Sequence, residues 1–272
     1  MLKDALTGIL TQNEVKELYS AFDQIGEIII VRIPDSLIHK KKLIGETLLD
    51  RVKIARSVFH QSSDVSGEFR TRSLDILAGT DNTETEYRES GCRFIIDVEK
   101  AFFSPRLSSE RLRIANLVEE NDTIVNMFAG VGMFSIIMAK NIPCTVYSID
   151  INPYAIELCK KSIGINKLKG KVIPIQGDAS DVIQKLEKTG DRTLMLLPER
   201  SDEFLDAAYH TLKKNGIIHY YSHIHSDAKM DAAKLSEEHY TKVGKRFKII
   251  YSRIVRAIGP RYYQTVVDAK VL

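Results

Sequence analysis

TIVNMFAGVGMFSIIMAKN (residues 123–141), followed by TVYSID (145–150), decides the fold. Thr123–Phe128 is a short apolar run with strand character, and Gly130 and Gly132 break it. An apolar helical pattern begins at once, over 132–141, and a second strand closes on Asp150. A strand, a glycine turn and a helix in this order form a βαβ unit, which requires parallel strands. Glycines at such a turn permit a tight bend and close approach of a ligand to the backbone, and the helix N-terminus offers unpaired N–H groups. The third glycine of the dinucleotide fingerprint is replaced by Ser135, which disfavours a nicotinamide cofactor. A tight turn with no ligand is the plainer reading of G-x-G alone. Asp150, twenty residues after Gly130, adds a carboxylate that can accept two hydrogen bonds from a ribose diol, so turn and acid together favour a nucleoside site over Phe128, Ala129, Gly130, Val131, Gly132, Asp150, Ile151 and Asn152.

The alternation continues downstream. Strands are predicted over 171–178, 192–197 and 216–224, and helices over 153–166, 179–188, 201–214 and 231–244. Two β-rich segments, FKIIYSRIVRAIG and YYQTVVDAKV, finish the chain as a hairpin. The predicted fold class is α/β, a mostly parallel, doubly wound sheet with an antiparallel final pair. Asp178 ends the third strand at the same sheet edge. With the N–H of Ala179 it can hold an adenine edge, or it can simply cap the following helix.

Upstream the texture differs. A helix is predicted over 12–22, with Val15, Leu18 and Phe22 on one face, then a strand over 25–34. A second helix follows over 36–51 with Leu37, Leu43 and Leu48 inward. Short β segments broken by Gly67, Gly79 and Gly91 lead to Ala101. An amphipathic helix over 106–118 presents Leu107, Leu112, Ile114 and Leu117, and carries Arg106 and Glu110 at ion-pair spacing. We therefore divide the chain into a small N-terminal α+β module, 1–101, and a catalytic domain, 102–272.

The 272 residues suffice for a core without metal or disulfide support. Apolar content of 44% and a net charge of only +3 describe a globular chain whose partners must be read from the distribution of charge, not its total. Three cysteines without a C-x-x-C pair imply a reducing, cytoplasmic setting and buried free thiols. No run approaches the roughly 18 apolar residues of a membrane span, so no membrane is expected as a partner. From Tyr240 to Val267 the chain carries seven Lys or Arg and no acid, interleaved with Tyr251, Tyr262 and Tyr263. HKKK (39–42) and Arg51–Arg56 supply a second basic patch. Such stretches contact phosphates and stack unpaired bases, or form a solvated basic face. His219, His223 and His225 lack the companions that complete a tetrahedral site, and no metal is expected.

Taken together, GEFRTRSLDILAG (67–79), RESGCRFIIDV (88–98), FSPRLSSERLRIA (103–115), MFAGVGMFS (127–135), IDINPYA (149–155) and GIIHYY (216–221) resemble one family in motif order. It comprises the archaeal and eukaryotic tRNA methyltransferases acting on N1 of guanine 37, with which the wyosine-pathway aminocarboxypropyl transferases share their architecture. The resemblance implies a Rossmann-like class I methyltransferase sheet that binds S-adenosylmethionine (AdoMet), preceded by an RNA-binding module. It implies Glu110 as general base on guanine N1–H and Arg70 as the donor to guanine O6. It places Ser104 and Arg111 near the methionine carboxylate, and makes Arg106, Lys242, Lys245, Arg246, Arg256 and Arg261 candidates for RNA contact. The partner expected is the tRNA anticodon loop, with no DNA, and the enzyme is expected to act as a monomer in the cytoplasm.

Three positions depart from the family pattern. Asn126 stands where an aspartate is usual, and Phe102 replaces a tyrosine. Leu196-Leu197-Pro198 replaces N-L-P, so Leu196 lines the cofactor site with Pro198 but cannot orient a base by hydrogen bonding. Leu196 keeps open aminocarboxypropyl transfer to a wyosine precursor as the alternative to methyl transfer. A protein that binds RNA and AdoMet without chemistry is the further alternative.

Overall fold

Two sheets and a hairpin carry the chain, and every residue except Met1, Ser20, Ala21, Val65 and Arg246 is described by this computed structural model. It falls into two units, Met1–Pro105 and Arg106–Leu272.

The first unit opens with helices α1 (Leu2–Leu6) and α2 (Gln12–Glu17), then strands β1 (Asp23–Ile25) and β2 (Ile28–Val31). Helix α3 (Lys41–Arg51) leads to β3 (Ser57–Gln61) and β4 (Leu74–Gly79), and a hairpin of β5 (Glu84–Glu89) and β6 (Cys92–Asp97) follows. The sheet order is β1-β2-β3-β4, with only β2 and β3 parallel, as the crossover through α3 demands. Three local expectations need correction. The predicted helix over 12–22 stops at Glu17, because Leu18 turns extended and buries itself in the core. The strand predicted over 25–34 is a hairpin that turns at Gly26. Leu43 is exposed: a 3₁₀ turn over Asp35–Lys40 resets the helical phase, so Ile44 and Leu48 take the inward face.

The second unit begins with a short 3₁₀ turn, Pro105–Leu107, leading into α4 (Ser108–Ala115). Strands and helices then alternate: β7 (Thr123–Asn126), α5 (Met133–Asn141), β8 (Thr145–Asp150), α6 (Pro153–Gly164), β9 (Lys171–Gln176), α7 (Ala179–Val182), β10 (Gly190–Met195), α8 (Leu205–Thr211), β11 (Leu212–His225), α9 (Ala232–Val243), β12 (Phe247–Gly259) and β13 (Tyr262–Val271). The sheet order is β12-β13-β11-β10-β7-β8-β9. Five strands are parallel, and β13 inserts antiparallel between β11 and β12. From β7 the chain winds outward through β8 and β9, then returns to the other side of β7 as β10 and β11. The direction of winding thus reverses between β7 and β10, and ligands bind at the carboxyl ends of strands at such a point.

Alternation along β11 and β13 assigns one face to the apolar core. Ile218, Tyr220, Val267 and Ala269 pack with residues of α7, α8 and α9, and the intervening residues face the other way. On α4 the inward face is taken by Glu110, Arg111 and Ile114, so Leu112 and Leu117, expected inside, are exposed. The helices expected over 179–188 and 201–214 are shorter, since α7 gives way to a 3₁₀ turn and β11 begins at Leu212.

Gly132 opens α5 in the left-handed region (φ +80°), and a β-carbon there would lie 2.3 Å from the Cys159 sulfur on α6. Gly132→Ala is therefore expected to cost roughly 1–3 kcal/mol in backbone strain plus the clash. A urea melt checks this, and adding Cys159→Ala recovers the steric part only.

Candidate active site

The loop after β7 is held from within the sheet. The Gly130 N–H donates to Asp150 Oδ2 (2.6 Å) and the Asn152 N–H to Asp150 Oδ1 (2.9 Å). Burial pushes the Asp150 carboxyl up from the usual carboxylate range, and these two donors oppose that rise. Ala129 and Val131 are buried, Phe128 packs edge-on against Phe204 at 5.0 Å, and Asn152 caps α6 through the Tyr154 N–H. The structure thus brings Phe128–Gly132 and Asp150–Asn152 together at one strand-end cluster. Asp178 caps α7 by accepting from the Ser180 N–H, so the capping reading holds for it, and Ala179 is buried behind. At the end of β7 the Asn126 amide donates to Ser135 Oγ (3.1 Å), while its buried Oδ1 has no partner among the described residues. Across the switch point, Leu196 is half-buried beyond the end of β10 and Pro198 is buried. Arg111 is buried, 5.9 Å from the ring of Phe134 in the first turn of α5. Arg70 and Ser104 belong to the first unit, where Arg70 lies over the Phe102 ring at 4.3 Å with a left-handed backbone (φ +53°).

Glu110 is fully buried and carries the densest polar network of the second unit. Register explains why. His219 pairs with Asp268, which pairs with Tyr251, and one step toward the carboxyl end Tyr221 and Arg253 flank Val266. Helix α4 lies on this face with Arg113 over the first row and Glu110 over the second, one helical turn apart. Arg113 forks between two carboxylates, reaching Glu110 Oε1 at 2.7 Å and Asp268 Oδ2 at 2.6 Å. Asp268 also bonds His219 Nδ1 (2.7 Å). Tyr221 donates to Glu110 Oε1 (2.7 Å), and Arg253 Nη2 lies 3.2 Å from Glu110 Oε2. Burial, followed by the neighbouring Glu110 charge, pushes the Tyr221 phenol well above its ordinary range, so it remains a donor. Tyr220 pairs with Met195, the last residue of β10, so Tyr221 and Glu110 stand level with Leu196 at the ligand edge. Arg113, Asp268 and Tyr221 were given no site role from the sequence, while His219 entered only as a rejected metal ligand and Arg253 only within the basic stretch; the alternate positions of β11 and β13 were the available signal.

The expected RNA contacts separate. Arg256, bonded to Gln264, and Arg261, paired with Asp227, lie toward the β12–β13 turn, at the ligand edge. Lys242 and Lys245 lie at the other end of β12, a strand of 13 residues, or about 40 Å; Lys245 pairs with Asp206. Arg106 is exposed, and Arg246 lies outside the described residues. Cys92, Cys144 and Cys159 are free and buried, with burial pushing the Cys159 thiol up to about 12. Among the described residues no cluster of three or more His, Cys, Asp or Glu is arranged to hold a metal, and no helix is long and apolar enough to cross a membrane.

Burial alone would raise the Asp268 carboxyl, but His219 and Arg113 outweigh it and hold it at about 2. A carboxyl depressed in the folded state stabilises above its unfolded pKa, and that stability is lost as pH falls through the folded one. Wild type is therefore expected to lose about 2 kcal/mol at this residue between roughly pH 4 and pH 2. Denaturant melts of wild type and Asp268→Asn across that window check it, because the variant lacks this component.

The family described as TRM5/TYW2 methyltransferase domain matches residues 85–250, and a TYW2 N-terminal domain matches residues 2–83. The chain is 42% identical to the tRNA (guanine(37)-N(1))-methyltransferase Trm5b of Methanocaldococcus jannaschii, over 92% of this chain and 71% of that protein. It is 35% identical to the tRNA 4-demethylwyosine(37)-methyltransferase Taw21 of Saccharolobus solfataricus, over 94% and 95%. Among solved structures, aTrm5 in complex with tRNALeu superposes with a TM-score of 0.86 at 36% identity, covering 100% of this chain and 78% of that one. M. jannaschii Trm5 in complex with adenosine superposes with a TM-score of 0.79 at 36% identity, covering 99% and 78%. With the doubly wound sheet, the glycine turn and these matches in hand, the chain belongs to the TRM5/TYW2 methyltransferase family.

Proposed function

We propose that this chain is an AdoMet-dependent tRNA methyltransferase that transfers a methyl group to N1 of guanine 37. The observation that carries the reading is Glu110, a carboxylate standing level with the carboxyl end of β10 beside the glycine turn's edge of the sheet. AdoMet fits the residues present. The unpartnered buried Oδ1 of Asn126 is an acceptor suited to the cofactor ammonium, Asp150 to the ribose hydroxyls, and Arg111 to the methionine carboxylate, for which the family resemblance also implies Ser104. Asp178 and the Ala179 N–H would meet the adenine, and Phe128, Ile151, Leu196 and Pro198 would line the cofactor apolarly. When bound, AdoMet supplies a sulfonium methyl and leaves as a neutral thioether.

Guanine N1–H is a weak acid and a poor nucleophile until its proton is removed. Glu110 accepts that proton, and the N1 lone pair becomes available for transfer. Negative charge then grows on O6, where Arg70 is the donor implied by the G-E-F-R motif. Arg113 and Asp268 hold the Glu110 carboxylate in place, and burial excludes water from it. The RNA partner we propose is the tRNA anticodon loop, held by the N-terminal module, 1–101, and by Arg106, Arg256 and Arg261; the target base leaves its stack to enter the site. Lys242, Lys245 and Arg246 are retained for phosphate contact away from the edge.

Leu196 favours a second reading, aminocarboxypropyl transfer to a wyosine precursor, because no amide remains at the end of β10 to orient a guanine. AdoMet labelled separately in the methyl and in the carboxyl carbon separates the two. Methyl label in tRNA bearing G37, absent from a G37→A transcript, is expected. Carboxyl label on a tricyclic precursor overturns methyl transfer. Glu110→Gln is expected to lower the single-turnover rate by roughly 10²–10⁴-fold, and Asp150→Ala to weaken AdoMet binding by calorimetry without unfolding the chain. Leu196→Asn is expected to raise the methyl-transfer rate, and an unchanged rate would remove Leu196 as the cause.

A further inference from the structure

We infer that Arg253 is a latch over Glu110 that becomes a hydrogen-bond donor to the target guanine's O6. The inference rests on the reading of Glu110 as the base. Three observations carry it. Arg253 Nη2 covers the outer side of Glu110 Oε2 at 3.2 Å, whereas Arg113 holds both oxygens from within, Nε on Oε2 at 3.1 Å and Nη2 on Oε1 at 2.7 Å, and Tyr221 takes the rest of Oε1. The buried Nε of Arg253 has no hydrogen-bond partner among the described residues, so one donor of its fork is left over in a polar site. Its side chain is 29% exposed against 15% for Arg113 and 0% for Glu110, so it is the member of the cluster free to move without opening the core.

The chemistry of guanine supplies the ligand. Its N1–H and O6 are adjacent on one edge, a donor beside an acceptor. Glu110 Oε2 and Arg253 present the complement, an acceptor beside a donor, from one wall of one unit. Entry of N1–H displaces Arg253 from Oε2, and the guanidinium turns to O6. The N1 proton passes to Glu110, the N1 lone pair takes the methyl, and the charge that would build on O6 meets a guanidinium that its former partner no longer neutralises. Arg253 lies on β12, opposite Val266 and two residues beyond Tyr251, so the long C-terminal hairpin places it. Glu110 keeps Arg113 and Tyr221 when Arg253 is lost, and the fold tolerates the change.

The test is a cycle of two enzymes and two substrates: wild type and Arg253→Met, with tRNA carrying guanosine or 6-thioguanosine at position 37. Sulfur is a weak acceptor, so wild type is expected to slow markedly on the thio substrate. Arg253→Met is expected to lose roughly 10²-fold in single-turnover rate on guanosine, with the KM for tRNA nearly unchanged, and to show a clearly smaller thio effect than wild type, the remainder belonging to Arg70 as the other donor to O6. Its pH–rate profile is expected to move to higher pH, since N1–H is no longer acidified, and Arg253→Lys is expected to recover part of the rate. Equal thio effects in both enzymes, a rate within twofold of wild type, or a change confined to the KM for tRNA would each overturn the latch. Failure of Glu110→Gln to slow wild-type transfer would instead overturn the base assignment, so the two failures are separable.

Discussion

Arg113 between Glu110 and Asp268 is the interaction on which the second unit's polar face depends. A carboxylate removed wholly from water costs several kcal/mol unless its charge and lone pairs are met. Glu110 meets two guanidiniums and a phenol, and Asp268 meets Arg113 and His219. Two guanidiniums, Arg113 and Arg253, thus stand against two carboxylates, with the His219 ring bonded to Asp268. Remove Asp268 and Arg113 turns its whole charge on Glu110; remove Arg113 and two buried carboxylates are left with a single guanidinium, Arg253 on Glu110, between them. Glu110 is therefore oriented by Arg113, with Asp268 behind it.

That arrangement requires β11 to do two jobs. Its even positions, Ile218 and Tyr220, complete the apolar core beneath α8 and α9. Its odd positions, His219 and Tyr221, face α4 and build the charged row. The period of two separates the two sets cleanly, and the antiparallel insertion of β13 supplies Asp268 at the register of His219. A parallel neighbour would need a crossover helix on this face, where α4 now lies.

Legibility in the sequence follows the range of the forces. The β7–α5–β8 unit was readable because its signals are local: an apolar run, two glycines and an acid at fixed spacing. The final hairpin was readable too, but not that β13 rather than β12 pairs with β11. Errors arose where a neighbour reset the local pattern, as the 3₁₀ turn before α3 turned Leu43 outward. On α4 the inward face went to Glu110 and Arg111, against the ordinary preference for leucine, because charge pairing across three strands outweighed hydrophobic periodicity. Asp268 carried no local signal at all, since its meaning comes from Arg113, 155 residues away. The three histidines of HYYSHIH, read as a weak metal pattern, fall at alternate positions of β11 and spread along the strand: His219 belongs to the buried row and His223 stands farther on, by Glu199.

Asn126 ends β7 and Leu196 follows the last residue of β10, the two strands that flank the switch point, and neither carries charge. A leucine distinguishes ligands by volume, and a methylene's difference in an apolar pocket is worth only about 1–3 kcal/mol. Choice between a methyl and a larger aminocarboxypropyl group therefore cannot rest on Leu196 alone. Both groups hang from the same sulfonium, so the choice reduces to which carbon faces the acceptor, and that is set by how the rest of the cofactor is anchored. Arg111, buried beside Phe134 at the start of α5, is the charged group closest in the chain to the base itself. Glu110 and Arg111 are adjacent on α4, so in the function proposed above one helix would fix both the position of the carboxylate and the anchor of the cofactor.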